Sequence, residues 1–205
     1  MGTTHQPPEG SKPLKIGFIL ARDFTMSAFA MFVDTLRLAS DVGDRSGRVY
    51  CDWEVVSATG HLVKSSAGIE VAPTTGLDNP SRFSHLAIVG GLLRQAEPLD
   101  ETMIGYLRKA SAAGVPLIGI CTGTFILARA GLLAGRKACV SWYHFQDLIE
   151  RYGDVIPVAD QLFVEDGKFV TCAGGLAALD LGAWMVERHL GPGHAEEVVL
   201  AGGDN

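Results

Sequence analysis

Residues 115–125 form the stretch that most constrains the fold, because an apolar run of strand length ends there at a cysteine. The run closes with Ile120 and Cys121, a small-residue turn begins at Thr122, and a helical pattern opens at Phe125. In an open α/β sheet this order places the cysteine at the carboxyl end of a central strand, where ligands collect. A sharp strand-to-helix turn of this kind, a nucleophile elbow, lifts one side chain above the sheet edge. We therefore expect Cys121 to line a pocket, although a buried and inert core cysteine has the same local pattern.

Apolar runs of strand length alternate with helical patterns through most of the chain. This alternation predicts an α/β fold: a flavodoxin-like three-layer sandwich whose mostly parallel sheet carries helices on both faces. Two short extended pieces, at Val63–Lys64 and Ile69–Val71, predict a small β-hairpin beside the sheet. The predicted strands are 14–21, 50–57, 85–89, 116–120, 136–140, 162–164 and 169–172. The predicted helices are 28–39, 101–113, the helix after the cysteine turn, 147–152 and 176–190.

Particular side chains mark the ends and faces of these helices. Ser27 and Asp100 each precede a helical pattern and have side chains that cap helices. The last helix is predicted to face inward through apolar residues at helical spacing. These residues are Leu176, Leu179, Ala183 and Val186.

Composition narrows the class of protein. The chain has 205 residues, 47% of them apolar, which suits one domain of ordinary size. It has no apolar run of about 18 residues, so we expect no membrane partner. Residues 1–13 are polar and predict a disordered lead-in rather than a secretory signal. Four widely spaced cysteines without a Cys-x-x-Cys pair favour a reduced, cytoplasmic protein. Seventeen basic and 23 acidic residues give a net charge of −6. A negative charge disfavours a domain that binds nucleic acid through its phosphates.

Several motifs resemble those of the class I glutamine amidotransferase-like superfamily, the ThiJ/PfpI group. Within that superfamily, the chain is most similar to the sensor domain at the amino end of AraC-type transcriptional regulators. The resemblance spans Lys15 to Leu190. The motifs that carry it are Phe24–Phe29, Val89–Leu93, Gly119–Gly123, Ala128–Arg136, Asp160–Phe163 and Cys172–Gly175.

The resemblance implies a domain organisation and a set of partners. Residues 14–190 correspond to the amidotransferase-like domain, and residues 191–205 to the start of a linker. The linker leads to a helix-turn-helix domain that this sequence does not include, and DNA would be contacted only through that domain. Regulators of this subgroup respond to small effectors such as quaternary amines or amino-acid-like compounds. Signalling to the second domain would run through a homodimer.

Catalysis at Cys121 would need a base to generate the thiolate and an acid to orient that base. In the hydrolase branch of the superfamily a histidine follows the cysteine, whereas Thr122 follows it here. In the hydratase branch an acidic residue lies in the first loop, and counting from Asp34 places Ala28 there. His144 is the best remaining candidate base, because it lies beyond the strand expected next to the elbow.

The preferred hypothesis is a catalytically degenerate sensing domain that kept its pocket. The backbone N–H groups of Gly91 and Thr122 would receive a carboxylate, and Trp142 could face a cationic head group. The predicted ligand-binding residues are Gly90, Gly91, Leu92, Cys121, Thr122 and Trp142. We expect no cofactor and no metal, since no cluster has metal-ligand spacing.

The alternative hypothesis is a cysteine-dependent hydrolase or an isonitrile hydratase-like enzyme. It would use Cys121 with His144 or with Asp23 of the first loop. A packed and hydrogen-bonded His144 is the competing interpretation of that histidine.

Overall fold

The structure is a computed structural model that describes residues 14–40, 47–93 and 99–191. The predicted lead-in at 1–13 and all of the predicted linker except Gly191 lie outside the described residues. No helix in the described ranges has both the length and the apolar character needed to cross a bilayer.

Strands and helices alternate in the described residues much as the periodicity predicts. The strands are β1 (Leu14–Leu20), β2 (Cys51–Val55), β3 (Val63–Lys64), β4 (Glu70–Val71), β5 (His85–Val89), β6 (Leu117–Ile120), β7 (Lys137–Cys139), β8 (Ile156–Val158), β9 (Phe163–Asp166) and β10 (Phe169–Cys172). The α-helices are α1 (Met26–Ser40), α2 (Glu101–Ala112), α3 (Gly123–Arg129), α4 (Phe145–Arg151) and α5 (Ala177–Leu190).

The main sheet has the strand order β2-β1-β5-β6-β10-β9 in the described part of the chain. The first five strands are parallel, and β9 joins the edge antiparallel through its hairpin with β10. Strand order reverses between β1 and β5, so the crevice above their carboxyl ends is the place where open α/β sheets bind ligands. The predicted hairpin also forms, with β3 antiparallel to β4.

Two cores lie on opposite faces of the main sheet, which confirms the three-layer sandwich. One packs α1 and α5 against the sheet, with Phe32 and Leu181 fully buried. The other packs α2, α3 and α4 against the opposite face, with Leu107 and Leu127 fully buried. Side chains alternate between the faces along each strand, so that Leu86 enters one core and Ala87 the other.

One of the two predicted helix caps is confirmed and the other is wrong. The Asp100 carboxylate accepts a hydrogen bond from the Met103 N–H at 2.9 Å and so caps α2. Helix α1 instead begins at Met26, so Ser27 lies inside its first turn and is exposed. The residue before α1 is Thr25, whose side chain has another role.

The predicted inner face of α5 is largely wrong. Leu176 precedes the helix and is 73% exposed, Leu179 is exposed, and Ala183 is only partly buried. The physical reason is close packing against α1. A Cβ atom added to Gly182 would lie 2.8 Å from Cδ2 of Phe32, so the helices approach where α5 is smallest. The residues of α5 that are buried are Ala177, Ala178, Leu181, Gly182, Met185, Val186 and Leu190.

Candidate functional site

The carboxyl ends of the parallel strands bring several chain segments to one edge of the sheet. The loop after β1, the Gly90-Gly91 pair after β5, Cys121 after β6 and the Gly174-Gly175 pair after β10 all lie there. Because parallel strands end at the same edge, residues far apart in the sequence meet around the cysteine.

Cys121 has the strained backbone of an elbow. Its φ is 58°, in the left-handed region that residues other than glycine rarely adopt. Its N–H donates to the Cys172 carbonyl oxygen at 3.0 Å, which fixes the elbow to the end of β10. Gly174 makes the close approach possible, because a Cβ atom on it would lie 2.6 Å from the Cys121 Cβ. The surrounding structure therefore holds the thiol, which is only partly buried, in one position.

The partner of the Cys121 sulfur is a hydroxyl group. Thr25 Oγ1 lies 3.5 Å from Cys121 Sγ, a hydrogen bond in which either group can donate. Ala28, at the position that the hydratase branch fills with an acid, is fully buried one turn further along α1. Sequence reasoning missed Thr25. Its position in the loop after β1 placed it at the correct edge, but a single threonine is a weak signal.

The Thr122 side chain ties the elbow to the loop after β5. Its Oγ1 donates to the Gly91 carbonyl oxygen at 3.0 Å and accepts from the Gly91 N–H at 2.8 Å. The prediction that the Gly91 N–H would receive a ligand carboxylate is therefore wrong, because this donor is already used. Gly90 is close to the same residue, since a Cβ atom on it would lie 2.4 Å from Thr122 Oγ1.

Asp23 extends this connection to the β3–β4 hairpin. It has a φ of 57°, its N–H donates to the Lys64 carbonyl oxygen at 3.0 Å, and its own carbonyl oxygen accepts from the Leu92 N–H at 3.2 Å. A Cβ atom on Gly91 would lie only 1.7 Å from that oxygen. The elbow, the β5 loop, the first loop and the hairpin therefore form one continuous framework.

His144 forms its hydrogen bond with a neighbouring carboxylate, and within the described residues no hydrogen bond joins it to Cys121. Its Nδ1–H donates to Asp147 Oδ2 at 2.9 Å, and its ring packs edge-on against Phe125 with centroids 6.1 Å apart. Strand β7, which precedes it, pairs with β8 in a separate two-stranded sheet and is not the neighbour of β6 in the main sheet. The expected placement beyond a strand next to the elbow is therefore wrong.

The predicted lining residues divide into two sets. Gly90, Gly91, Cys121 and Thr122 are brought together by the contacts above. Trp142 lies at the surface, 78% exposed, with its ring 6.0 Å from that of Tyr143. Leu92 is also exposed, at 46%.

Cys121 is partly exposed, whereas the other three cysteines are buried. Burial has a direct effect on the pKa of those three thiols. Burial raises the pKa of Cys51 to about 12, of Cys139 to about 11 and of Cys172 to about 12, so these groups stay protonated thiols at neutral pH. In the described ranges no group of three or more His, Cys, Asp or Glu side chains is arranged to hold a metal ion.

A cavity of about 560 Å³ opens beside this framework at the same edge of the sheet. Its walls are the first loop, residues of the 57–64 segment and the start of α2. Arg22 and Lys64 contribute positive charge and Asp23 and Asp100 negative charge, while apolar surface comes from residues such as Leu20 and Met103. Its volume lies within the range of about 300–1,000 Å³ that small-molecule sites occupy.

The sequence is similar to one protein family and to several characterised proteins. The model of the DJ-1/PfpI family matches residues 15–188. The HTH-type transcriptional regulator GbdR of Pseudomonas aeruginosa is 32% identical over 185 residues, which cover 90% of this chain and 49% of the regulator. The isonitrile hydratase of Pseudomonas putida is 29% identical over 188 residues, covering 91% of this chain and 77% of the hydratase.

Solved structures give the same grouping. An AraC family transcriptional regulator from Pseudomonas putida superimposes with a TM-score of 0.78 at 26% identity, covering 92% of this chain and 99% of that chain. The present chain spans about half the length of the curated regulators that it matches.

Proposed function

The chain belongs to the DJ-1/PfpI family, and we propose that within this family it is the effector-sensing domain of an AraC-type transcriptional regulator. The domain binds a small metabolite and does not transform it. It is cytoplasmic and acts as a homodimer. In the full-length protein, DNA is bound by a separate helix-turn-helix domain. A linker that begins at Gly191 joins that domain to the sensing domain of residues 14–190.

The observation that carries this proposal is the partner of the Cys121 sulfur. A threonine hydroxyl cannot take a proton from a thiol at neutral pH, whereas an imidazole or carboxylate can. Thr25 provides the hydrogen bond to the sulfur, and within the described residues no hydrogen bond joins Cys121 to the imidazole of His144, which Asp147 orients. The similarity to regulators over half of their length supports the same conclusion.

The effector site is the crevice at the carboxyl edge, formed by the elbow and the cavity beside it. Gly90, Gly91, Cys121 and Thr122 form its floor, and the exposed Leu92 and Trp142 would close over a ligand that reaches them. The Thr122 N–H remains the candidate donor to a ligand carboxylate. Through Thr122, Gly91 and Asp23, occupancy would shift the β3–β4 hairpin and the start of α1 together.

Calorimetric titration of the chain with quaternary amines, betaines and amino acids tests the proposal. We expect at least one compound to bind saturably. The variant Cys121→Phe should lose this binding because the larger side chain fills the elbow, and Cys121→Ala should keep it because the thiol is not needed. Failure of every compound to bind the wild-type chain contradicts a sensing role. Equal binding by Cys121→Phe contradicts the elbow as the site.

An isonitrile hydratase-like activity is the second candidate, favoured by the 29% identity to such an enzyme. It is tested by incubating the chain with an alkyl isonitrile and measuring the N-substituted formamide. Turnover that disappears in Cys121→Ser would establish the enzyme and overturn the sensing proposal. The proposal expects no turnover in either protein.

A further inference from the structure

Large apolar side chains are exposed at the edge of the sheet that carries Cys121. They come from three segments of the chain, 139–147, 160–163 and 173–180. Tyr143 and Leu176 are 72% and 73% exposed. The five exposed side chains, which together form the apolar patch, are Trp142, Tyr143, Leu162, Leu176 and Leu179.

Hydrogen bonds hold the three segments side by side. The Leu162 carbonyl oxygen accepts from the Ala173 N–H at 3.0 Å and from the Cys139 S–H at 3.5 Å. Trp142 follows Cys139 by three residues, and Leu176 follows Ala173 by three. The exposed side chains therefore project from neighbouring backbone. Monomeric proteins rarely leave a large group of apolar side chains in water unless it contacts a partner.

Helix α5 is apolar on two sides. One side is buried against the sheet and α1, with Leu181 and Val186 in the core. Leu176, just before the helix, and Leu179 in its first turn are exposed instead. A helix that is apolar on more than one side is normally covered on more than one side. The exposed leucines thus indicate a protein partner at the start of α5.

The charges beside the apolar patch are acidic. The three segments contain Asp147, Asp160 and Asp180 but neither lysine nor arginine. Asp147 accepts a hydrogen bond from His144, whereas the structure gives Asp160 and Asp180 no basic partner among the described residues. A second copy of the chain would bring the same acids against these, so charge complementarity favours a basic partner.

We propose that the apolar patch docks a cationic helical surface that also carries apolar side chains. The identity of this partner rests on the proposed function: it is the DNA-binding domain of the regulator, which needs positive charge to contact phosphates. Gly174, which packs against Cys121, lies two residues before Leu176. The apolar patch and the effector site therefore share one turn. A ligand that draws Trp142 over the elbow removes it from the patch and weakens docking.

The test is fluorescence anisotropy of a labelled peptide, LKKLLKLLKKLLKL, titrated with the chain. As a helix this peptide has leucine on one face and lysine on the other. We expect saturable binding, and binding weaker by roughly 10-fold or more when glutamate replaces every lysine. Leu176→Ser and Tyr143→Ser should each weaken binding roughly 10- to 100-fold, because one large apolar side chain is no longer buried. Asp160→Asn combined with Asp180→Asn should reduce the salt dependence of binding.

Val49→Ser is the matched control. Val49 is 56% exposed and lies next to Tyr50, whose carbonyl oxygen accepts from the Leu14 N–H at the opposite edge of the sheet. This variant should bind the peptide as wild type does. Thermal unfolding checks that every variant is folded.

Several results would overturn the proposal. These are no saturable binding of the lysine peptide, equal binding of the glutamate peptide, or binding by Leu176→Ser and Tyr143→Ser as tight as that of Val49→Ser. Sedimentation showing a wild-type dimer that both variants disrupt would also overturn it, because a second copy then covers the patch. A chain that binds an effector but no peptide contradicts this inference alone, whereas one that binds the peptide but no effector contradicts the sensing role.

Discussion

The Thr122 hydroxyl joins two loops that would otherwise share no side-chain hydrogen bond. It satisfies both the N–H and the carbonyl oxygen of Gly91 at a site where Thr122 is only 5% exposed. Water cannot easily replace it, because Gly90 and Gly91 pack directly against neighbouring backbone. A single side chain therefore determines whether two buried backbone groups are paired.

We predict that Thr122→Val lowers the free energy of unfolding by about 2–4 kcal/mol, because it leaves a buried donor and a buried acceptor unpaired. Thr122→Ser keeps the hydroxyl and loses one methyl group, so its cost should be about 1 kcal/mol. Urea unfolding followed by circular dichroism measures both. A loss in Thr122→Val no larger than the loss in Thr122→Ser would contradict the hydrogen bonds as the main contribution of this side chain.

The sequence predicted those parts of the site that lie directly at the ends of strands. The order of strand, cysteine and small-residue turn predicts the elbow at Cys121, and the glycine pair after β5 predicts its neighbour. Side-chain partners are not encoded in such patterns. Whether Thr25 or His144 reaches the sulfur depends on how α1 and α4 are placed against the sheet, and the roles of the predicted lining residues stay predictions.

At the scale of elements, helices α1 and α5 pack at a point where both backbones come close. Gly182 is the residue that allows it, because a Cβ atom there would lie 2.8 Å from Phe32 and 2.9 Å from Thr35. Thr35 is itself buried and donates to the Met31 carbonyl oxygen at 2.7 Å, so it has little freedom to move.

We predict that Gly182→Ala destabilises the fold by about 1–3 kcal/mol through overpacking, although alanine favours helices. Gly105→Ala is the matched control, since Gly105 lies within α2 and an added Cβ atom there would have no atom within 4 Å. That variant should gain up to about 1 kcal/mol. Guanidinium unfolding of both proteins measures the two effects. A gain in both would contradict the close packing of α1 against α5.

Hydrophobic periodicity predicted the presence of helices and strands more accurately than it predicted which face of a helix is buried. Strands such as β5 and β6 are continuous apolar runs because both of their faces are covered, and these were predicted correctly. The buried face of α5 was predicted incorrectly. Small residues of α5 make its contact with α1, whereas a prediction from hydrophobic periodicity gives most weight to large apolar residues. Leu176 and Leu179 fit the pattern and are nevertheless exposed.

At the scale of the whole molecule, one half-buried imidazole, that of His85, contributes to how stability changes with pH. Burial keeps His85 neutral in the folded chain, with its pKa lowered to about 4 from an ordinary value of 6.5. The unfolded chain takes up this proton at the higher pH. Between pH 6.5 and 4 the unfolded state therefore binds more protons, and stability falls as the pH falls.

We predict that the free energy of unfolding decreases by about 3 kcal/mol from this residue as the pH is lowered from 6.5 to 4. His85→Gln should flatten the profile in that window, because the amide does not titrate. His61→Gln replaces an exposed histidine and should leave the profile of wild type. Urea unfolding at a series of pH values measures all three. An unchanged slope in His85→Gln would contradict the assignment.

The contact between His85 and His189 also indicates where Leu14 and Gly191, the first and last described residues, lie. His85 is level with Ile16 of β1, and His189 is in the last turn of α5, so both described ends leave from the rim opposite Cys121. Their proximity makes the domain suited to insertion as a cassette into a surface loop of a host protein. A fluorophore or a surface anchor attached next to Leu14 or Gly191 would sit a full strand length away from the thiol and leave access to the thiol open.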